Sequence, residues 1–232
     1  VSKRIEALYD QIPAEASSVA DIGYDLGHLL VSLVARRRDV RALGIEIQPA
    51  AKPRFLTAHA EFVASHGERI ALREGDGLGA LHPGEVEGAI IAGVGARTIA
   101  RMIDEAPAVV ASLEWLLLCP ARFQGEVRPA LARAGLFAAS ERLVEDRGHL
   151  YEVILARHGE EPCPDPAARA YGPRLFEGPD PLLAAYLAHV RRCFAGALAN
   201  DLASYGPDSP NAALGAKLRL LSAAEALAAR SG

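Results

Sequence analysis

Five short apolar runs, each closed by a turn and followed by a stretch of helical character, constrain this chain more than any other feature. They lie at 18–22, 40–47, 70–73, 87–92 and 114–118. Runs of this length suit buried strands, and the intervening stretches at 27–37, 49–65, 97–103 and 124–134 have the length and apolar spacing of helices. Strands that alternate with helices build a parallel, doubly wound sheet with helices on both faces. An opening helix over 1–12 carries Ile5, Leu8 and Ile12 on one face and stops at Pro13. Pro49 opens the helix after the second strand, and His66-Gly67 closes it. Two further runs, 136–144 and 149–157, flank Asp146-Arg147-Gly148 and read as an antiparallel hairpin that closes the sheet.

The pattern then breaks. Residues 158–181 are rich in Pro, Gly and Glu, and two helices follow at 182–204 and 210–230, separated by Gly206-Pro207-Asp208-Ser209-Pro210. The division is therefore a sheet domain at 1–157 and a linker with a small helical domain at 158–232. The 232 residues suffice for one α/β domain with such an appendage. A net charge of −4 gives no global attraction to nucleic acid, so any such surface must be a local patch. The three cysteines, Cys119, Cys163 and Cys193, form no CxxC pair, which argues against a disulfide framework or a metal site and suits a reducing cytoplasm. No apolar run approaches the roughly 20 residues that span a bilayer.

Chemistry-bearing residues gather at the carboxyl ends of the predicted strands, where open α/β sheets bind ligands. The first strand runs into Asp21-Ile22-Gly23-Tyr24-Asp25, the second ends at Glu46-Ile47, the third reaches Asp76-Gly77, and the fourth ends at Ala92-Gly93. Gly23 permits close approach of the backbone to a ligand. Glu46, 23 residues further on, can accept two ribose hydroxyls, and Asp76 can accept from an adenine amino group. Taken singly, each is an ordinary turn or loop residue. In this order they point to S-adenosylmethionine (SAM) rather than to a phosphate ligand. A dinucleotide site would require G-x-G-x-x-G around a pyrophosphate. Here Gly23 and Gly27 flank Asp25, whose carboxylate would repel one.

These segments resemble the TrmK family of bacterial tRNA adenine-N1-methyltransferases. The resemblance covers nearly the whole chain. It is carried by Ser2-Lys3-Arg4-Ile5-Glu6, the Asp21–Asp25 pentapeptide, Gly75-Asp76-Gly77-Leu78, Ile91-Ala92-Gly93-Val94-Gly95, Gly148-His149-Leu150-Tyr151-Glu152-Val153 and Tyr171-Gly172-Pro173. It implies a Rossmann-like class I SAM-methyltransferase sheet followed by a helical, coiled-coil-like domain, and methyl transfer to N1 of adenine 22 of tRNA. Asp25 matches the second acidic residue of the family's first motif and is the candidate catalytic residue; its alternative is a cap for the next helix. Asp21, Gly23, Glu46, Ile47, Asp76, Gly77, Ala92 and Gly93 are the candidate cofactor residues.

Three departures concern the acceptor side. Leu26 stands where the family has histidine, Val94-Gly95-Ala96 where it has Met-Gly-Gly, and Cys119-Pro120-Ala121 where it has Gln-Pro-Asn. Val94, Gly95, Cys119 and Pro120 are thus candidate acceptor contacts that lack the family's amides. Cys119 itself reads as a nucleophile or a buried thiol, and N-methylation needs no nucleophile. Arg36-Arg37-Arg38, the densest basic cluster, reads equally as phosphate contact or as complement to a helix C-terminus. The C-terminal part carries 7 Lys/Arg against 8 Asp/Glu and is no electrostatic clamp by net charge. Another RNA, a small-molecule acceptor, or a non-catalytic SAM- or RNA-binding module are the alternatives.

Overall fold

The computed structural model describes residues 2–121, 126–205 and 212–231. Its centre is a seven-stranded sheet: β1 Ser18–Ile22, β2 Arg41–Glu46, β3 Ile70–Glu74, β4 Gly88–Ala92, β5 Trp115–Cys119, β6 Leu136–Asp146 and β7 His149–His158. The spatial order is β3-β2-β1-β4-β5-β7-β6. The first five strands are parallel; β7 runs antiparallel to both β5 and β6. The carboxyl ends of β1 to β5 therefore share one edge, and the chain order reverses between β1 and β4 at the switch point.

The helices are α1 Lys3–Gln11, α2 His28–Arg36, α3 Ala51–Ala58, α4 Ala60–His66, α5 Ala96–Glu105, α6 Pro107–Ser112, α7 Val127–Arg133, α8 Pro166–Tyr171, α9 Leu183–Tyr205 and α10 Ala212–Ser231. The parallel strands are buried on both faces, so their side chains divide by alternation between two cores. Ala20, Ile22, Ile45, Ala89, Ile91, Leu116 and Leu118 pack under α5 and α7. Val19, Ala42, Ile90, Trp115 and Leu117 pack under α1, α2 and α3. A third core, with Tyr171, Leu187, Val190, Phe194 and Leu221, joins α8, α9 and α10 and meets the sheet through Leu143 of β6.

The elements expected from the pattern are present, with three differences. The helix expected over 49–65 is two helices. His59 leaves helical geometry (φ −125°, ψ 30°), and its ring nitrogen Nε2 meets the Leu26 carbonyl at 2.8 Å. A tertiary contact thus overrides local propensity. The Pro-rich break at 158–181 contains α8, which Pro166 opens and the Asp165 side chain caps by accepting from the amides of Ala167 and Ala168. Short α6 also opens at a proline, Pro107, but without a side-chain cap, and is too brief for periodicity to signal. The start of the helix expected over 124–134, and the Gly206-Pro207-Asp208-Ser209-Pro210 spacer, lie outside the described residues.

Candidate SAM site at the strand ends

The loop after β1 continues the sheet's ladder before it turns: the Gly23 amide donates to the Ile45 carbonyl at 2.7 Å. Gly23 then takes φ 79°, and nothing lies within 4 Å of the position its Cβ would occupy. The backbone there faces open space, as a ligand cradle requires. Gly27 has a different reason to be glycine. It has φ 68°, and a Cβ would collide with the Phe55 ring at 2.3 Å. The turn is tightened by the Gly27 amide donating to the Tyr24 carbonyl at 2.6 Å. Phe55 of α3 stands edge-on to Tyr24, ring centres 5.9 Å apart.

Asp21, the fourth residue of β1, is 6% exposed, and no donor among the described residues reaches its carboxylate. Burial, reinforced by the neighbouring Glu46 charge, pushes its pKa up to about 7. A buried carboxylate without a donor is costly unless a cation completes it. Asp25 lies in the left-handed region at φ 46°, uncommon outside glycine. Its amide donates to Glu46 Oε2 at 3.3 Å, and its carboxylate accepts from Arg54 of α3 at 2.9 Å. It does not cap α2, whose first turn follows Gly27 with no side-chain cap. The other Glu46 oxygen accepts from the Gln48 amide at 3.2 Å. Glu46 thus stands at the end of β2 beside the Asp25 loop, and Ile47 next to it is 58% exposed.

Asp76 follows β3 and is straddled by Arg101 of α5, with both nitrogen–oxygen distances at 3.3 Å. Gly77 is buried, turns at φ 59° and packs against Met102. Ala92 ends β4, and the Gly93 amide donates to the Cys119 carbonyl at 3.0 Å. The Val94 carbonyl accepts from the Ala121 amide at 2.9 Å, and Gly95 precedes the first turn of α5. The structure thus brings Asp21, Gly23, Asp25, Glu46, Ile47, Asp76, Gly77, Ala92, Gly93, Val94 and Gly95 to one edge.

Two groups of expected contacts do not line the site. Cys119 and Pro120 are at this edge but buried; the Cys119 thiol is fully enclosed, and burial pushes its pKa up to about 12. It is neither a nucleophile nor a side chain an acceptor can touch. Arg36 and Arg37 close α2, which runs from the ligand edge to the opposite one. Arg36 grips Glu6 through two bonds of 2.6 and 2.5 Å, and Arg37 donates to the carbonyls of Pro13 and Ile12. Both stand over the Tyr9 ring. This pair fastens α1 to α2, and exposed Arg38 sits with it, away from the rim.

Sequence reasoning missed Arg54, which holds Asp25, and Arg4 as a neighbour of Gly93. No local pattern signals a contact between residues 29 or 89 apart. A cavity of about 790 Å³ also lies between α7, the start of β6 and the C-terminal helices, bordered by Leu136, Pro164, Tyr171 and Leu220. Because β6 starts at the opposite edge of the sheet, that cavity is remote from the strand-end site.

The residues present fit SAM. Open space stands above Gly23, the buried Asp21 carboxylate has no donor among the described residues, and a carboxylate and an exposed apolar side chain follow at Glu46 and Ile47. Among the described residues no cluster of His, Cys, Asp or Glu could hold a metal, and no helix is long and apolar enough to cross a membrane.

Comparison with known proteins agrees with this geometry. The profile of a family described as "Methyltransferase domain" matches residues 1–154. The Bacillus subtilis (strain 168) tRNA (adenine(22)-N(1))-methyltransferase is 29% identical over 161 residues, 69% of this chain and 66% of that protein, just under two thirds of its length. Among solved structures, Streptococcus pneumoniae Sp1610 in complex with S-adenosyl-L-methionine superposes with a TM-score of 0.78 at 22% identity, over 97% of this chain and 99% of that one. M. capricolum TrmK in complex with S-adenosyl-homocysteine (SAH) gives a TM-score of 0.75 at 16% identity, over 99% of this chain and 97% of that one. At such identities these two likenesses establish the fold, including its helical appendage.

Proposed function

The chain belongs to the methyltransferase-domain family, and from that premise we propose that it is of the TrmK type and methylates N1 of an adenine in tRNA, at position 22 by analogy with its relative. The observation that carries the cofactor half is the convergence of Asp21, Gly23 and Glu46 on the ends of β1 and β2. SAM, when bound, supplies an electrophilic methyl group. Glu46 accepts the ribose hydroxyls, Gly23 lets the backbone approach, and Asp76 faces the adenine end. Adenine N1 attacks with its own lone pair, so no general base is needed; the task is to expose and align the base. Methylation leaves the adenine ring cationic. An exposed carboxylate at the rim, Asp25, is suited to accept from the N6 amino group and to stabilise that charge as it develops. Its pairing with Arg54 is solvent-exposed and therefore easily exchanged.

The test is to incubate the protein with SAM and unfractionated tRNA, digest, and identify methylated nucleosides by mass spectrometry. New 1-methyladenosine is expected. Glu46→Gln should weaken SAH binding about tenfold, the loss of one charge-assisted pair. Asp25→Asn should keep SAH binding within about threefold and lower turnover by about 10²-fold or more. Methylation of a different nucleoside, or of a small molecule only, would support the rival reading, which the buried Cys119 in place of an amide donor favours.

A further inference from the structure

We infer that a proton held on Glu152 closes the seam between the sheet and the C-terminal helices, and that its loss releases α8, α9 and α10 from the sheet as a unit. The device is independent of the reaction proposed above. Arg128 of α7 donates through one nitrogen, Nη2, to Oε1 of Glu141 on β6 at 2.5 Å and to Oε1 of Glu152 on β7. Both carboxylates are wholly enclosed, and the guanidinium is 11% exposed. Each remaining oxygen has one further donor. The Arg174 amide, in the turn Pro173–Phe176 after α8, donates to Glu141 at 2.8 Å, and the Tyr186 hydroxyl of α9 donates to Glu152 at 3.1 Å. On the β5 side Glu152 acts on the Cys119 thiol, which burial keeps uncharged.

Among the described residues, one cation thus faces two carboxylates in a site closed to water. Ionised throughout, the site carries a net negative charge, and an enclosed charge without a partner is costly. Two carboxylates on one guanidinium nitrogen also repel each other. One proton removes both costs. Glu152 takes it: burial pushes its pKa up to about 7 against the pull of Arg128, and the Glu141 charge adds to the rise. Little else holds this seam. Of the buried residues in the third core, Leu143 is the one that the sheet supplies. The cavity of about 790 Å³ occupies the gap between α7, the start of β6 and the helices. Lys217 reaches Glu126, beside α7, at 3.4 Å, but that pair is exposed and weak. The helices are better tied to one another. Tyr171 of α8 donates to the Lys217 carbonyl of α10 at 2.6 Å, and Arg191 of α9 holds Glu225 and Ser222 of α10. Once released, they move together.

The folded pKa lies above the ordinary 4.5, so docking is fully favoured below about pH 4.5 and weakens as pH rises to about 7, where Glu152 ionises in place. Between pH 5 and pH 8 the opening constant of the helical unit should therefore rise on the order of 10²-fold. Hydrogen exchange of the full chain at those two pH values, with rates corrected for intrinsic exchange, measures that rise. The Leu187 and Val190 amides of α9 should open more at pH 8, and more readily than the Ile90 amide of β4. Glu152→Gln, shaped like the protonated acid and unable to ionise, should hold α9 at its pH 5 protection. Wild-type α9 with equal protection at both pH values, or an unchanged pH response in Glu152→Gln, overturns the inference. So does one common opening constant for α9 and Ile90 at both pH values, which marks unfolding of the whole chain. Should Glu152→Gln fail to fold, the proton is read directly from the carboxylic-acid infrared band of an Asp21→Asn protein, in which the other carboxyl with a raised pKa is gone. The band is expected at pH 6, and its absence overturns the inference as well.

Discussion

Among the described residues, charge is withdrawn from water at the helix seam and at the strand-end rim, and the two are handled in opposite ways. At the seam between sheet and C-terminal helices, Arg128 of α7 lies between Glu141 of β6 and Glu152 of β7 and bonds both. Tyr186 of α9 donates to the other Glu152 oxygen at 3.1 Å, and the Arg174 amide donates to the other Glu141 oxygen at 2.8 Å. Both carboxylates are fully enclosed and have partners from within the chain. At the strand-end rim, Asp21 is buried and Arg4 half-buried, and among the described residues neither side chain has such a hydrogen-bonded partner. A network satisfied internally fixes one arrangement of the two lobes. A set of buried charges left open is held ready for something that is not part of the chain. On the function proposed above, the seam is structural and the rim serves the ligand, although both use the same residue types.

The sharpest way to break this contrast is Arg128→Met. It strands Glu141 and Glu152 together without a cation, and stability should fall by about 3–5 kcal/mol in denaturant titrations. A loss below about 1 kcal/mol would mean that water, not Arg128, satisfies the seam.

Asp21→Asn should act in the reverse direction. The native pKa of about 7 lies above the ordinary 3.8, so the folded protein holds this proton longer than the unfolded chain does. Ionisation of Asp21 therefore costs stability progressively from about pH 4 to pH 7. Asparagine avoids that cost: the variant should gain about 2–4 kcal/mol over the wild type above pH 7, with the gap narrowing towards pH 4. SAH affinity should fall about tenfold at the same time, since the ammonium loses its charged acceptor. A variant that is less stable at neutral pH and binds SAH normally would place Asp21 among the structural charges.

Tyr186→Phe deletes a single bond to Glu152 and should cost about 1–2 kcal/mol, with SAH binding unchanged in calorimetry. Smallest of all is Arg36→Gln. Its pairing with Glu6 is exposed, so stability should move by less than about 1 kcal/mol. Binding of tRNA should stay within about twofold; a larger loss would return the basic cluster to the RNA surface.

Much of this was legible along the chain because strand and helix periods are local. Asp21, Glu46 and Asp76 sit at the strand ends their spacing predicts, since a buried parallel strand must end where polar residues begin. The Pro-rich stretch at 158–181 was less legible. Its α8 is stabilised by burial of Ala167, Ala168 and Tyr171 against the other helices, which no local pattern encodes. Glu152 illustrates the same limit: in sequence it is one residue of a Tyr-Glu-Val strand, and in the fold it is the buried hinge of the seam. Burial pushes its pKa up, against the pull of Arg128.

The sequence by itself determined the doubly wound sheet, the closing hairpin and the acidic series, because hydrophobic period and turn chemistry act over a few residues. Tertiary structure alone decided which charges are spent and which remain open. Arg36 and Arg4 both lie on or against α1 and look alike in a list of basic residues. One meets Glu6 across a helix seam, and the other, among the described residues, stands beside Tyr151 and the end of β4. Pairing depends on which side chains the fold brings within a few ångströms, and that distance is a property of packing, not of the order of residues.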